Sequence, residues 1–137
     1  MKTAAGALYE RWKTAWRSVD GEAMKNLWDR SYPGLIYQAE ENAEALAGWD
    51  EIERYWDTAP TLVDRVSGFE DLGFDVSEVG GAVILFGRVS FDIFAKGFSK
   101  PISGGMRMTM VLHVVDGELK LIHYHESRQL DLTAALS

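Results

Sequence analysis

The sequence predicts an α+β domain in which helices come first and a sheet follows. Three observations carry this. All five tryptophans, Trp12, Trp16, Trp28, Trp49 and Trp56, fall in the first 56 residues, where apolar residues recur at helical spacing. Beyond Pro60 the pattern alternates and is rich in Val, Ile, Phe and Met. Asp116-Gly117 then separates two alternating runs, the strongest short-range signal for a β-hairpin.

Taken in order, Thr3 to Val19 reads as a helix with Tyr9, Trp12, Trp16 and Val19 on its buried face and Glu10, Arg11, Lys13 and Arg17 on the other. Asp20 is placed to cap a second helix running to about Asp29, with Ala23, Leu27 and Trp28 inside. Tyr32-Pro33-Gly34 makes a turn, and Leu35 to Glu40 is a short strand. A third helix spans Gly48 to about Thr58, with Ile52, Tyr55 and Trp56 as its apolar stripe and Pro60 just past its end. In the sheet half, Leu72, Phe74 and Val76 alternate with polar residues, and Ala82 to Phe94 forms a long strand with Val83, Leu85, Val89, Phe91 and Ile93 inside. Lys96 to Gly105 reads as a loop. Arg107 to Val115 and Glu118 to about Arg128 form the final hairpin. A two-residue turn sets Val114 opposite Leu119, Leu112 opposite Leu121, Met110 opposite His123 and Met108 opposite His125.

A chain of 137 residues, with no linker or repeat, is one domain, its core running from about residue 8 to 128. The formal charge of −7 argues against a nucleic-acid partner and against an anionic membrane surface. Without cysteine there is no thiolate nucleophile, thiolate metal site or disulfide. Met1 to Gly6 lacks a leader's apolar run, and the longest apolar run, Ala82 to Phe86, is far short of the roughly 20 residues that cross a membrane, so a cytoplasmic location is expected.

Two segments carry a family resemblance. Gly48-Trp49-Asp50-Glu51-Ile52-Glu53-Arg54-Tyr55-Trp56 resembles the G-W-x-x-I-x-x-Y-W helix of SnoaL-like proteins in the nuclear transport factor 2 superfamily. Arg107 to His113, Asp116-Gly117 and Leu121-Ile122-His123-Tyr124-His125-Glu126-Ser127 resemble that family's terminal hairpin, which is also similar to the association domain of calcium/calmodulin-dependent kinase II. The likeness runs from Leu8 to Ser127 and departs at Leu119, where the family usually carries tryptophan. It implies three N-terminal helices on the concave face of a strongly curved, mostly antiparallel sheet. It also implies a pocket inside the cone. Its reactions range over isomerases, dehydratases, cyclases and hydrolases beside non-catalytic modules, so fold does not settle reaction.

His123 and His125, two apart on a strand, project from one face. Over the concave side they would serve as general acid and base; as hydrogen-bonded structural residues they would only orient the hairpin. A metal site needs a third ligand, and in this register His113 faces away, so no metal is expected. No cofactor is expected for chemistry of this kind. The resemblance implies a carboxylate inside the cone, and Glu40 is the nearest candidate, with Asp92 second. Trp12, Trp16, Tyr37, Trp56, Met108 and Met110 would wall a pocket for a small apolar or aromatic ligand, or simply fill the core. Arg107 would hold a ligand oxygen if a bulge turned it inward; otherwise it is solvated. Ile84, Phe86, Thr109, Val111, Ile122 and Tyr124 form a half-apolar sheet exterior, and a homodimer through this face is expected.

Overall fold

The computed structural model describes residues 2–129 and 132–136. Its order is α1 (Lys2–Ser18), α2 (Gly21–Lys25), β1 (Ile36–Gln38), β2 (Leu46–Ala47), α3 (Trp49–Thr58), a 3-10 turn (Ala59–Leu62), β3 (Val63–Val79), β4 (Ala82–Ala95), β5 (Ile102–Val115), β6 (Glu118–Ser127) and α4 (Leu132–Leu136). Six strands form one curved sheet in the order β2-β1-β6-β5-β4-β3. Every adjacent pair is antiparallel except β1 with β6. The expected α+β architecture is the one found. No helix among the described residues is long and apolar enough to cross a membrane.

Local chemistry accounts for most elements. Asp20 caps α2 as expected, its carboxylate accepting from the Ala23 amide at 3.0 Å. The helix nonetheless ends at Lys25 rather than near Asp29. Leu27 O accepts from Leu121 N at 2.8 Å and Asp29 N donates to Leu121 O at 3.0 Å, so this backbone is committed to β6 and not to further helical turns. Strand β5 begins earlier than expected, with Gly104 and Gly105 paired to Phe91 and Ser90.

The core lies between α1, α3 and the inner sheet face. Tyr9 and Trp12 of α1, Leu85 of β4, Met108 and Met110 of β5 and Tyr124 of β6 are all buried in it. Gly87 interrupts the apolar side chains of β4 for a steric reason: a Cβ there would lie 2.7 Å from Met108 Sδ and 3.0 Å from Tyr9 Cε1. Two expectations on this face are corrected. Leu72 is 48% exposed, because the ladder shifts between Asp71 and Phe74 and the extra residue turns outward. Lys13, expected on the solvated side of α1, is buried, with Nζ 2.8 Å from Asp71 and 2.5 Å from Glu10. Tyr9 Oη donates to the same Asp71 at 3.2 Å, which ties α1 to the bulge in β3.

The decisive irregularity is in the hairpin. Both residues of the Asp116-Gly117 turn have positive φ, at 50° and 83°, as a two-residue hairpin turn requires, and the pairs Val114–Leu119 and Leu112–Leu121 form as expected. A bulge at Ile122 then shifts the register, so that Val111 pairs with His123, Met110 with Tyr124 and Met108 with Glu126. The bulge falls where β6 exchanges the Leu27–Asp29 segment for β1 as its other neighbour.

Candidate functional site

A cavity of about 470 Å³ opens between α1, α3, the 3-10 turn and strands β3 to β6. Its apolar walls come from Trp16 of α1, Tyr55 and Trp56 of α3, Phe91 and Ile93 of β4, and Met106 of β5. Glu40, Glu41, Glu126 and Arg128 supply polar groups along its side. Apolar walls with a few polar groups are the usual make-up of a small-molecule site.

The bulge at Ile122 corrects the histidine expectation. Beyond it the inward positions of β6 are Tyr124 and Glu126, both buried, while His125 is exposed and His123 half-buried on the outer face. Burial and then the neighbouring His125 lower the pKa of His123. His113, which plain alternation sets on the opposite face, shares the outer face with them and bonds Asp29 at 2.7 Å. Tyr124, expected on the sheet exterior, is instead 1% exposed and stacks on Tyr37 with ring centres 5.0 Å apart.

The other candidates divide by place. Trp16, Trp56 and Glu40 line the cavity. Trp12, Tyr37, Met108 and Met110 are buried in close-packed core and do not line it. Arg107 sits on the outer face opposite Ser127 and donates to the Arg128 carbonyl at 2.8 Å, because the register keeps it alternate to Met108. Asp92 also points away, toward Ser103 Oγ.

Sequence reasoning missed Glu126, Glu41 and Arg128 as site residues. The available signal was that Tyr124, a larger apolar group than either histidine, alternates with them and carries Glu126 to its own side. Glu126 is 7% exposed, and its Oε1 has no hydrogen-bond partner. Burial first, then the negative charges of Glu41 and Glu40, push its carboxyl up to about 8, while Tyr124 and the Glu40 backbone offset part of this. Glu40 is ion-paired with Arg128 Nε, and Arg128 also donates to Ser103 O at 3.2 Å and lies over the Phe91 ring at 4.8 Å. Tyr55 donates to Glu41. Burial and neighbouring carboxylates raise the pKa values of Tyr37, Tyr55 and Tyr124, so these phenols remain protonated donors. A second, more open hollow, bordered by Gln38, His125 and Ser127, shares Glu40, Glu126 and Arg128 with the cavity. These three side chains therefore form the partition between an apolar interior and a polar recess.

The chain resembles solved structures over nearly its full length. One is a nuclear transport factor 2-like protein from Salmonella enterica serovar Typhimurium, at 14% identity and TM-score 0.79, covering 91% of this chain and 88% of that one. Another is a proposed dehydratase of the same superfamily from Streptomyces avermitilis, at 18% identity and TM-score 0.76, covering 94% and 96%. A third is a hexachlorocyclohexane dehydrochlorinase, at 11% identity and TM-score 0.76, covering 94% and 85%. At such identities the likeness shows the fold alone. No curated protein matches the chain. The family model for the SnoaL-like domain matches residues 6–131, and the chain belongs to that family.

Proposed function

We propose that this protein binds a small apolar, carbonyl-containing ligand in its cavity and moves a proton on it without a cofactor, using Glu126 as the acid–base group. The observation that carries this is a buried carboxyl on the cavity wall, with one oxygen unpartnered and a pKa raised to about 8. A carboxyl in that range holds its proton at neutral pH and gives it up at small cost, which suits general acid–base catalysis. It protonates the ligand's carbonyl oxygen, and the carboxylate so formed takes a proton from the carbon α to that carbonyl, which leaves the enol. Glu40 and Glu41 tune it by charge, and Trp16 and Trp56 hold the apolar body. The polar recess behind Glu126 gives it a route to exchange protons with solvent. Two structural neighbours are named for eliminations, and eliminations also transfer a proton.

The test is exchange of α-protons for deuterium in a panel of cyclic ketones, followed by NMR. Wild type is expected to accelerate exchange on at least one ketone. Glu126→Gln is expected to lose about 10²-fold or more of that rate while remaining folded. Equal rates in the two proteins would overturn the assignment.

A second reading is a non-catalytic dimerisation module. It is favoured by the sheet exterior, where Phe86 is 37% exposed and Ile84, Val111 and Ile122 are half-buried. In this reading the wild type is a dimer in light scattering and Val111→Glu releases monomers; a monomeric wild type refutes it.

A further inference from the structure

The charges around the cavity are one-sided. Among the described residues, Asp20, Glu40, Glu41 and Glu126 line it, against the single cation Arg128. Three of these acids are already engaged: Asp20 caps α2, Glu40 holds Arg128, and Glu41 accepts from Tyr55. Glu126 is different. It is more than nine-tenths buried and is paired with no cation among the described residues, and its Oε1, like that of Glu40, has no hydrogen-bond partner. Glu40 and Glu41 stand close enough to act on it by charge alone.

The walls reinforce the same sign. Trp16, Tyr55, Trp56 and Phe91 surround the hollow, and an aromatic ring presents a negative face to whatever lies over it. Arg128 already uses the Phe91 face in this way, with its guanidinium 4.8 Å from the ring centre. Its charge is neutralised by Glu40, and the Ser103 carbonyl takes a further donor. What remains is a low-dielectric hollow with an acid that has no cation of its own on one side and aromatic and aliphatic side chains on the others. Such a site repels an anion, is indifferent to a neutral apolar body, and attracts a cation that carries its own apolar body.

We propose that the ligand taken by this cavity carries a protonated amine on a compact apolar body, with the ammonium group seated against Glu126. The proposal rests on the cavity being a ligand site, as the proton-transfer reading also does, and it adds the ligand's charge: with an ammonium seated, Glu126 is the carboxylate and acts on such a ligand as a base only. The ammonium supplies the cation that the Glu126 carboxyl lacks, and its approach favours the ionised carboxylate. Uptake of the amine at neutral pH therefore expels the carboxyl proton to solvent through the polar recess.

The experiment compares 1-adamantylamine, 1-adamantanol and adamantane-1-carboxylate, three probes of one shape, by titration calorimetry at pH 7 in two buffers of different ionisation enthalpy. Wild type is expected to bind the amine about tenfold or more tightly than the alcohol, with the carboxylate weakest and a proton released only with the amine. Glu126→Gln, close in shape to the protonated acid, is expected to bring the amine down to the alcohol's affinity, to leave the alcohol within about threefold, and to abolish proton release. Equal affinity for amine and alcohol in the wild type would overturn the inference. So would an amine preference that survives in Glu126→Gln. Either result, with ketone exchange still lost in Glu126→Gln, removes the amine and leaves the proton-transfer reading standing. Failure of all three probes to bind also overturns the inference, and the proton-transfer reading then stands or falls on ketone exchange alone.

Discussion

Met108 of β5 pairs with Glu126 of β6 across the final hairpin, so a carboxyl group and a thioether share the inner face of the sheet. The methionine is 1% exposed, and the carboxyl beside it is buried with it, so burial leads the causes of the raised pKa of Glu126. The consequence for stability has a definite sign. The unfolded chain ionises this group near its ordinary value of 4.5, while the native state keeps the proton until about 8. Native protein therefore holds the extra proton between those values, and its contribution to stability is complete below about 4.5 and is lost progressively as pH rises to about 8. Urea denaturation between pH 4.5 and 9 should show this loss in the wild type, on the order of 5 kcal/mol. Glu126→Gln should remove that part of the slope and be the more stable protein at pH 8. A wild-type slope unchanged in the variant would contradict the assignment of a titrating Glu126.

Gly87 governs a different contact on the same face. Its missing side chain leaves room for Tyr9, whose ring reaches 4.8 Å from the centre of Phe74 and stacks beside Trp12. Gly87→Ala places a methyl group inside the contact distances of both Met108 and Tyr9. Methionine can yield, but Tyr9 is held by Asp71, so the expected loss is about 1–3 kcal/mol. Thermal melts check the size of the loss. A second substitution, Met108→Ala, should recover part of it by vacating the sulfur's volume, a coupling that a purely backbone effect of alanine would not give.

Lys13 and Asp71 pin α1 to the bulge of β3. Burial works against the lysine's charge, yet its bonds to Asp71 and Glu10 hold its pKa above the ordinary value. The pKa of Asp71 is correspondingly held down, against its own burial, by Lys13, the Gly73 amide and Tyr9. Lys13→Ala leaves Asp71 without its cation and Tyr9 with an unbalanced carboxylate, and a loss of about 2 kcal/mol is expected in denaturant titrations. The double variant Lys13→Ala/Asp71→Asn should be less destabilised than the sum of the singles. Simple additivity would show that the two side chains do not act as a pair.

Elements fixed by short-range chemistry were legible before any coordinates. The Asp20 cap, the Ile52–Trp56 stripe of α3, the alternation of Val83 to Ile93 and the Asp116-Gly117 turn all depend on residues a few positions apart, and each forms as read. Lys13 and Leu72 were misplaced because their surroundings depend on distant chain: one on an acid 58 residues away, the other on a bulge. The candidate site failed for the same reason. Nothing in the local pattern of Ile122 marks it as bulged, since both faces of β6 carry residues that a core accepts. What displaces the register lies far off in sequence, where Leu27 and Asp29 clasp Leu121 and β1 takes over beyond it. Trp16, Trp56 and Glu40 survived as cavity residues because they belong to other elements and do not depend on that register.

The outward histidines give the last prediction. His125 is exposed beside the half-buried His123, and its charge is the second cause, after burial, of the lowered pKa of His123. Replacing it by asparagine removes a like charge from the outer face and leaves the cavity wall untouched. In His125→Asn the His123 ring should therefore titrate at higher pH than in the wild type, an upward shift readable by NMR of the imidazole protons. The same variant should still exchange ketone α-protons, since His125 borders only the recess and no imidazole among the described residues lines the cavity. Loss of exchange in His125→Asn together with retained exchange in Glu126→Gln would transfer the acid–base role back across the sheet, and with it the direction from which a ligand must approach.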